Sequence, residues 1–148
     1  MIYYFPKTSG INNKVAFRDV LECGITMMAA YRSINSKMRS ERLPSVNYRI
    51  SAENSEMQLA KSSSTQSQDL FGTAINVCTK INSNSPANKM VIVDDLYHFV
   101  KYLDDYNFTA IGKFSTRLDH DNDYSIYLVG SKQQGNILNP FKRRSSIQ

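Results

Sequence analysis

Asp69, Asn76 and Lys80 put a carboxylate, an amide and a cation into one short run, with Phe71-Gly72 between the first and the other two. Gly72 lets the backbone turn sharply, so that a strand region can end there and a helix begin. On that helix Asn76 and Lys80 stand four residues apart and share one face. An amide and a cation on one helix face, opening beside a glycine turn, can hold phosphate oxygens and stabilise charge that develops in a transition state. The same spacing suits a capped amphipathic helix with a solvated polar face. Spacing alone leaves both readings open and favours the plainer one.

The elements that must position these residues follow from periodicity. Ile2 to Phe5 is β-prone and is closed by Pro6 and the Thr8-Ser9-Gly10 turn. Asn12 or Asn13 can cap a long helix in which Val20, Leu21, Gly24, Met27, Met28, Tyr31, Ile34 and Met38 recur at the spacing of one buried face, with Pro44 as its stop. Val46 to Ile50 alternates as a strand, Met57 to Ala60 reads as a second, and Ser62 to Ser67 is a polar hairpin end. A helix is predicted from about Gly72 to Ile81, with Ala74, Ile75, Cys78 and Ile81 inward. Met90 to Val93 is a strand of the fully buried type. Asp94 or Asp95 caps the next helix, whose Leu96, Phe99 and Val100 face a core together with Leu103. Phe108 to Phe114 and Tyr124 to Val129 are two more strands, joined by an acidic turn from Asp119 to Asp123. Hairpins segregated from helices argue an α+β domain with a largely antiparallel sheet. It covers residues 1–130, and residues 131–148 form a basic tail with no periodicity, expected to be disordered.

At 148 residues the chain holds one core. No apolar run approaches the roughly 20 residues that span a bilayer, and no signal peptide is legible, so a cytoplasmic location is expected. Of the net charge of +5, four charges come from Lys132, Lys142, Arg143 and Arg144 in a segment without acids. The body is therefore near neutral and carries no nucleic-acid footprint. Cys23 and Cys78 read as small buried hydrophobes in a reducing compartment, and neither pairs with His or Cys at metal-ligand spacing. Asp119-x-Asp121-x-Asp123 lacks the Gly and Glu of a calcium loop, and His98 and His120 have no partner nucleophile.

The Asp69 to Lys80 run resembles the class III adenylate/guanylate cyclase catalytic domain. In that family a base-reading residue precedes an aromatic-Gly pair, an Asn and, four residues on, an Arg. Three further pieces align in order: Tyr3 to Pro6, the Arg49-Ile50-Ser51-Ala52-Glu53-Asn54-Ser55-Glu56 stretch, and Met90 to Tyr97. The resemblance spans roughly residues 1 to 130, and archaeal members are nearest in character. It implies a ferredoxin-like, nucleotide-cyclase-type sheet with packed helices, missing the family's first strand and helices. It also implies a purine nucleotide as ligand and a homo- or hetero-dimer as the working form. Asp69 matches the base-reading position, where Asp goes with adenine because a carboxylate accepts from its exocyclic amine. ATP is therefore the favoured nucleotide. Phe71 and Gly72 frame that position, Asn76 matches the amide that orients the ribose or triphosphate, and Lys80 stands where the family has Arg. Lys113 or Arg117 matches the late triphosphate-binding Lys.

The departures define the expectation. Both family metal aspartates and the base-reading Lys belong to strands at or before the start of this sequence, and Ser55 and Ala60 replace family glycines. Lys80 keeps the charge of Arg and loses its bidentate fork. The resemblance thus implies a cyclase homology domain related to cyclic AMP formation, incomplete as a lone catalyst. Mg²⁺ or Mn²⁺ is expected only where a partner chain supplies the metal aspartates. The alternative is a non-catalytic regulatory or dimerisation module of the same fold.

Overall fold

The strand Met90–Val93 (β4) is buried along its whole length and organises everything else. Alternate side chains of a strand point to opposite faces. Met90 and Ile92 therefore meet Phe17, Leu21 and Ile25 of helix α1 (Lys14–Ser40) and Leu96 and Val100 of helix α3 (Asp94–Val100). Val91 and Val93 meet Val77 and Ile81 of helix α2 (Thr73–Asn84) on the other face. Full burial of each such side chain is worth about 1.5–3 kcal/mol. Two helices thus cover one face of the sheet and one helix the other.

The computed structural model describes residues 1–9, 13–61, 68–115 and 123–132. β1 (Ile50–Ala52) lies beside β4, then come β6 (Asp123–Ser131) and β5 (Tyr106–Ser115). β1 runs parallel to β4, and the other two ladders are antiparallel. β2 (Gln58–Lys61) and β3 (Gln68–Phe71) form a separate antiparallel hairpin. The α+β class expected from the sequence is the one observed. No described helix is long and apolar enough to cross a membrane.

Several expectations shift. Ile2 to Phe5 forms no strand: it leads into a 3-10 turn at Pro6–Ser9, and Ile2, Tyr3 and Tyr4 are exposed. A β-prone run becomes a strand only against a neighbour, and none of the described strands pairs with it. The first sheet strand begins at Ile50 instead of Val46. The Asn35 amide donates to Val46 O at 2.8 Å and accepts from Val46 N–H at 2.7 Å, while Tyr48 N–H goes to Asn88 Oδ1, so these backbone groups are withheld from a ladder. The helix stripe is also redrawn. Phe17, Leu21, Gly24 and Ile25 are buried, whereas Ile34 is exposed and the polar Asn35 takes the buried position. Asn13 caps α1 through Ala16 N–H, as one of the two candidates. Neither Asp94 nor Asp95 caps α3; Val93 holds the cap position without a side-chain bond. β6 carries on through Gly130 to Ser131, and Lys132 N–H donates to Asp105 O. Residues 133–148 and the acidic turn up to Asn122 lie outside the described residues.

Candidate functional site

β3 delivers the chain to the start of α2. Its ladder sets Asp69 opposite Ala60 and Phe71 opposite Gln58. Gly72 follows with φ 154° and ψ 163° and takes the cap position of α2. A Cβ there would stand 3.1 Å from Glu56 O and 3.4 Å from Met57 Cα, so the close approach of the β1–β2 connection requires glycine. No side chain caps α2; in its first turn Ile75 N–H donates to Gly72 O at 3.3 Å.

α2 is turned so that Ala74, Val77 and Ile81 are buried, Asn76 is exposed and Lys80 is half-buried. Two bonds fasten it to β1 and its approach. Ser51 Oγ donates to Cys78 O at 2.9 Å, and Arg49 Nε donates to Ser85 O at 2.6 Å. Asn76 and Lys80 therefore share a face whose direction is set from the sheet.

Lys113 lies elsewhere. It pairs with Ser125 across the β5–β6 ladder, and directly opposed residues share a sheet face. Ser125 N–H donates to Asp94 Oδ2, and Tyr127, two residues on, packs with the α1–α3 cluster. Phe114 and Tyr124 pack on the α2 side. Within one chain Lys113 is thus on the sheet face opposite to Asn76 and Lys80. Arg117 and His120 lie outside the described residues, and His98 is exposed on α3.

A carboxylate group that sequence reasoning passed over sits where β1 and β4 end. Ala52 is opposite Ile92, so Glu53 and Asp94-Asp95 leave the sheet side by side. Burial, together with the neighbouring Asp95 and Asp94, pushes the Glu53 carboxyl up to about 8. Burial and the nearby Glu53 push the Cys78 thiol up to about 11, which keeps it protonated and inert. Asp94 accepts from Ser125 N–H at 2.7 Å and from the Tyr127 hydroxyl at 3.1 Å. The sequence offered Glu53 only as a member of the Arg49 to Glu56 stretch; its place beside Asp94 and Asp95 comes from the parallel β1–β4 pairing. Among the described residues no group of three or more His, Cys, Asp or Glu is placed to hold a metal ion. Among the described residues, then, the carboxylates do not fit a two-metal site.

No protein-family model and no curated protein sequence matches the chain. Solved structures do. The adenylyl cyclase CyaB from P. aeruginosa matches with a TM-score of 0.64 at 15% identity, over 86% of this chain and 64% of that one. The guanylyl cyclase Cya2 matches with a TM-score of 0.65 at 14% identity, over 90% of this chain and 64% of that one. The chain thus spans 64% of the length of each. It therefore shares the fold of these two cyclase structures.

Proposed function

We propose that the chain is a nucleotide cyclase homology domain that contributes one half of a purine-nucleotide site, related to cyclic AMP formation from ATP, and that it works as a dimer. The observation that carries this reading is the path from β3 through Gly72 to α2, with Asn76 and Lys80 on one accessible helix face. Asp69 would accept from the adenine amine, Asn76 would orient the ribose and phosphates, and Lys80 would neutralise the triphosphate. A compact ammonium on a flexible stem attracts phosphate as a point charge, with less geometric control than a guanidinium. The metal aspartates would come from the partner. The test is a paired assay with ATP and Mn²⁺, using the chain alone and mixed with a cyclase partner that bears those aspartates. Cyclic AMP above the level of the partner alone, reduced by Asn76→Ala, supports the reading. No increase and no ATP binding overturn it.

A regulatory module that kept the fold is the second reading. It is favoured by Asp94 at the end of β4, whose carboxylate is already held by Ser125 N–H and the Tyr127 hydroxyl.

A further inference from the structure

We propose that the outer end of α1 docks on an anionic membrane surface. Arg32, Lys37, Arg39 and Arg42 meet the lipid headgroups, and Ile34 and Leu43 enter the boundary beneath them. α1 and α2 cover opposite faces of the sheet, so docking leaves the Asn76 and Lys80 face free.

α1 outruns the core. It has 27 residues, and beyond Ile25 only Asn35 is buried. Asn35 spends its amide on Val46 of the returning chain, not on the sheet. The Tyr48 hydroxyl donates to Met27 O, and its ring meets Tyr31 edge-on. At 1.5 Å per residue, residues 29–40 extend roughly 18 Å with that returning segment beside them.

The surface of this end is both basic and apolar. The four cations are exposed, and Glu41 is the one acid between residues 29 and 46. Among the described residues the salt bridge formed is Arg18–Asp105, so these four are unpaired. The helix dipole accounts for Lys37 and Arg39 in the last turn, but not for Arg32 upstream or Arg42 past the end. Ile34 is 43% and Leu43 49% exposed. Ile34 and Met38 stand one turn apart on one face, and Leu43 N–H returns to Met38 O at 2.8 Å. Unpaired cations beside exposed aliphatic side chains match a lipid interface, where headgroups take the charge and the acyl boundary takes the apolar groups. RNA would take the charge alone, and the aromatic rings nearby, Tyr31 and Tyr48, are half-buried against each other.

Arg42 adds a second observation. Its N–H donates to Arg39 O, one turn-closing bond beside that of Leu43, and its φ is 57°. This is the helix ending in which glycine is the usual residue. A cation therefore stands at the tip in a backbone conformation that costs an L side chain and not glycine.

The experiment uses the full chain and vesicles of phosphatidylcholine, with or without about one third phosphatidylserine, read by co-sedimentation. Binding should require phosphatidylserine and weaken as salt rises. Arg32→Gln and Arg39→Gln should each lower the partition coefficient about fivefold, and Ile34→Ser should lower it at unchanged charge. Arg42→Gly should weaken binding about fivefold while raising the melting temperature, which a structural role for the arginine would not do. Replacing Lys142, Arg143 and Arg144 together by Gln should leave the effect of each α1 variant in place. Absence of vesicle binding overturns the proposal, as does binding that the tail variant removes and the α1 variants leave unchanged. So does an RNA oligonucleotide that binds through the same arginines where vesicles do not.

Discussion

At the scale of single residues, Asn35 decides where the sheet begins. Its amide takes both backbone groups of Val46 and turns the chain back along α1. Asn35→Ala removes the partners of the part-buried Val46 N–H and C=O, and each such hydrogen bond contributes about 0.5–1.5 kcal/mol. Urea unfolding should show a drop of about 2 kcal/mol with an unchanged slope. Glu53 acts with the opposite sign to an ordinary paired carboxylate. Its folded pKa of about 8 lies above the ordinary 4.5, so the folded state keeps a proton that the unfolded chain has already released. Its stabilising contribution is whole below the unfolded pKa, falls as pH rises between the two values and is gone above the folded one. The slope approaches about 1.4 kcal/mol per pH unit within that window, and the difference between the unmodified chain and Glu53→Gln isolates it from other titrations.

At the scale of elements, two glycines set how pieces meet. Gly72→Ala would force a side chain toward Glu56 O in a backbone region that L residues avoid, costing more than about 1 kcal/mol. Circular dichroism should show a small loss of helix, and exchange should rise at the first turn of α2 while the α1–α3 side stays protected. Gly24 sits where α1 crosses β4, and a Cβ there would overlap Met90 Sδ and Cε. Gly24→Ala gains about 1 kcal/mol of helix propensity and loses about 1–3 kcal/mol to overpacking. Adding Met90→Val should restore stability beyond the sum of the single changes, the signature of direct contact. These cases show what the sequence disclosed. β4 was legible because Met90-Val91-Ile92-Val93 is an uninterrupted apolar run, and α2 because Gly72 marks its start; of its expected inner face Ala74 and Ile81 are buried, while Val77 is buried in place of the half-buried Ile75 and Cys78. β3 was not, since Gln68-Asp69-Leu70-Phe71 has no clean alternation and owes its conformation to the ladder with β2. The start of β1 was hidden for a similar reason: it is decided by Asn35 and Asn88, both distant in sequence. Of the candidate site, the Asn76 and Lys80 face was readable from spacing. The placement of Lys113 required the β5–β6 register, and Glu53 required the parallel pairing.

At the scale of the whole molecule, the sheet separates the cations that the sequence grouped. Asn76 and Lys80 lie on the α2 side and Lys113 on the face shared with α1 and α3. One chain cannot bring Lys80 and Lys113 to one triphosphate, whereas two chains can, if the α2 side of one copy meets the other sheet face of its partner. A two-fold dimer of this kind repeats each contact, so it would hold two equivalent sites, each drawing one cation from each copy. Lys80→Ala and Lys113→Ala should then each weaken ATP binding about tenfold, the loss of one charge-assisted contact. Both positions are at least partly accessible, so unfolding stability should change by less than about 0.5 kcal/mol. Mixing the two variants in equal amounts after dissociation makes half of the dimers hybrid, and one of the two sites in each hybrid carries both lysines. About a quarter of the tight ATP sites should therefore return, measured by equilibrium titration. Return of binding places the lysines in one shared site. If the mixture binds no better than its components, Lys113 lies outside the site, and the ligand face reduces to α2 and the turn at Gly72.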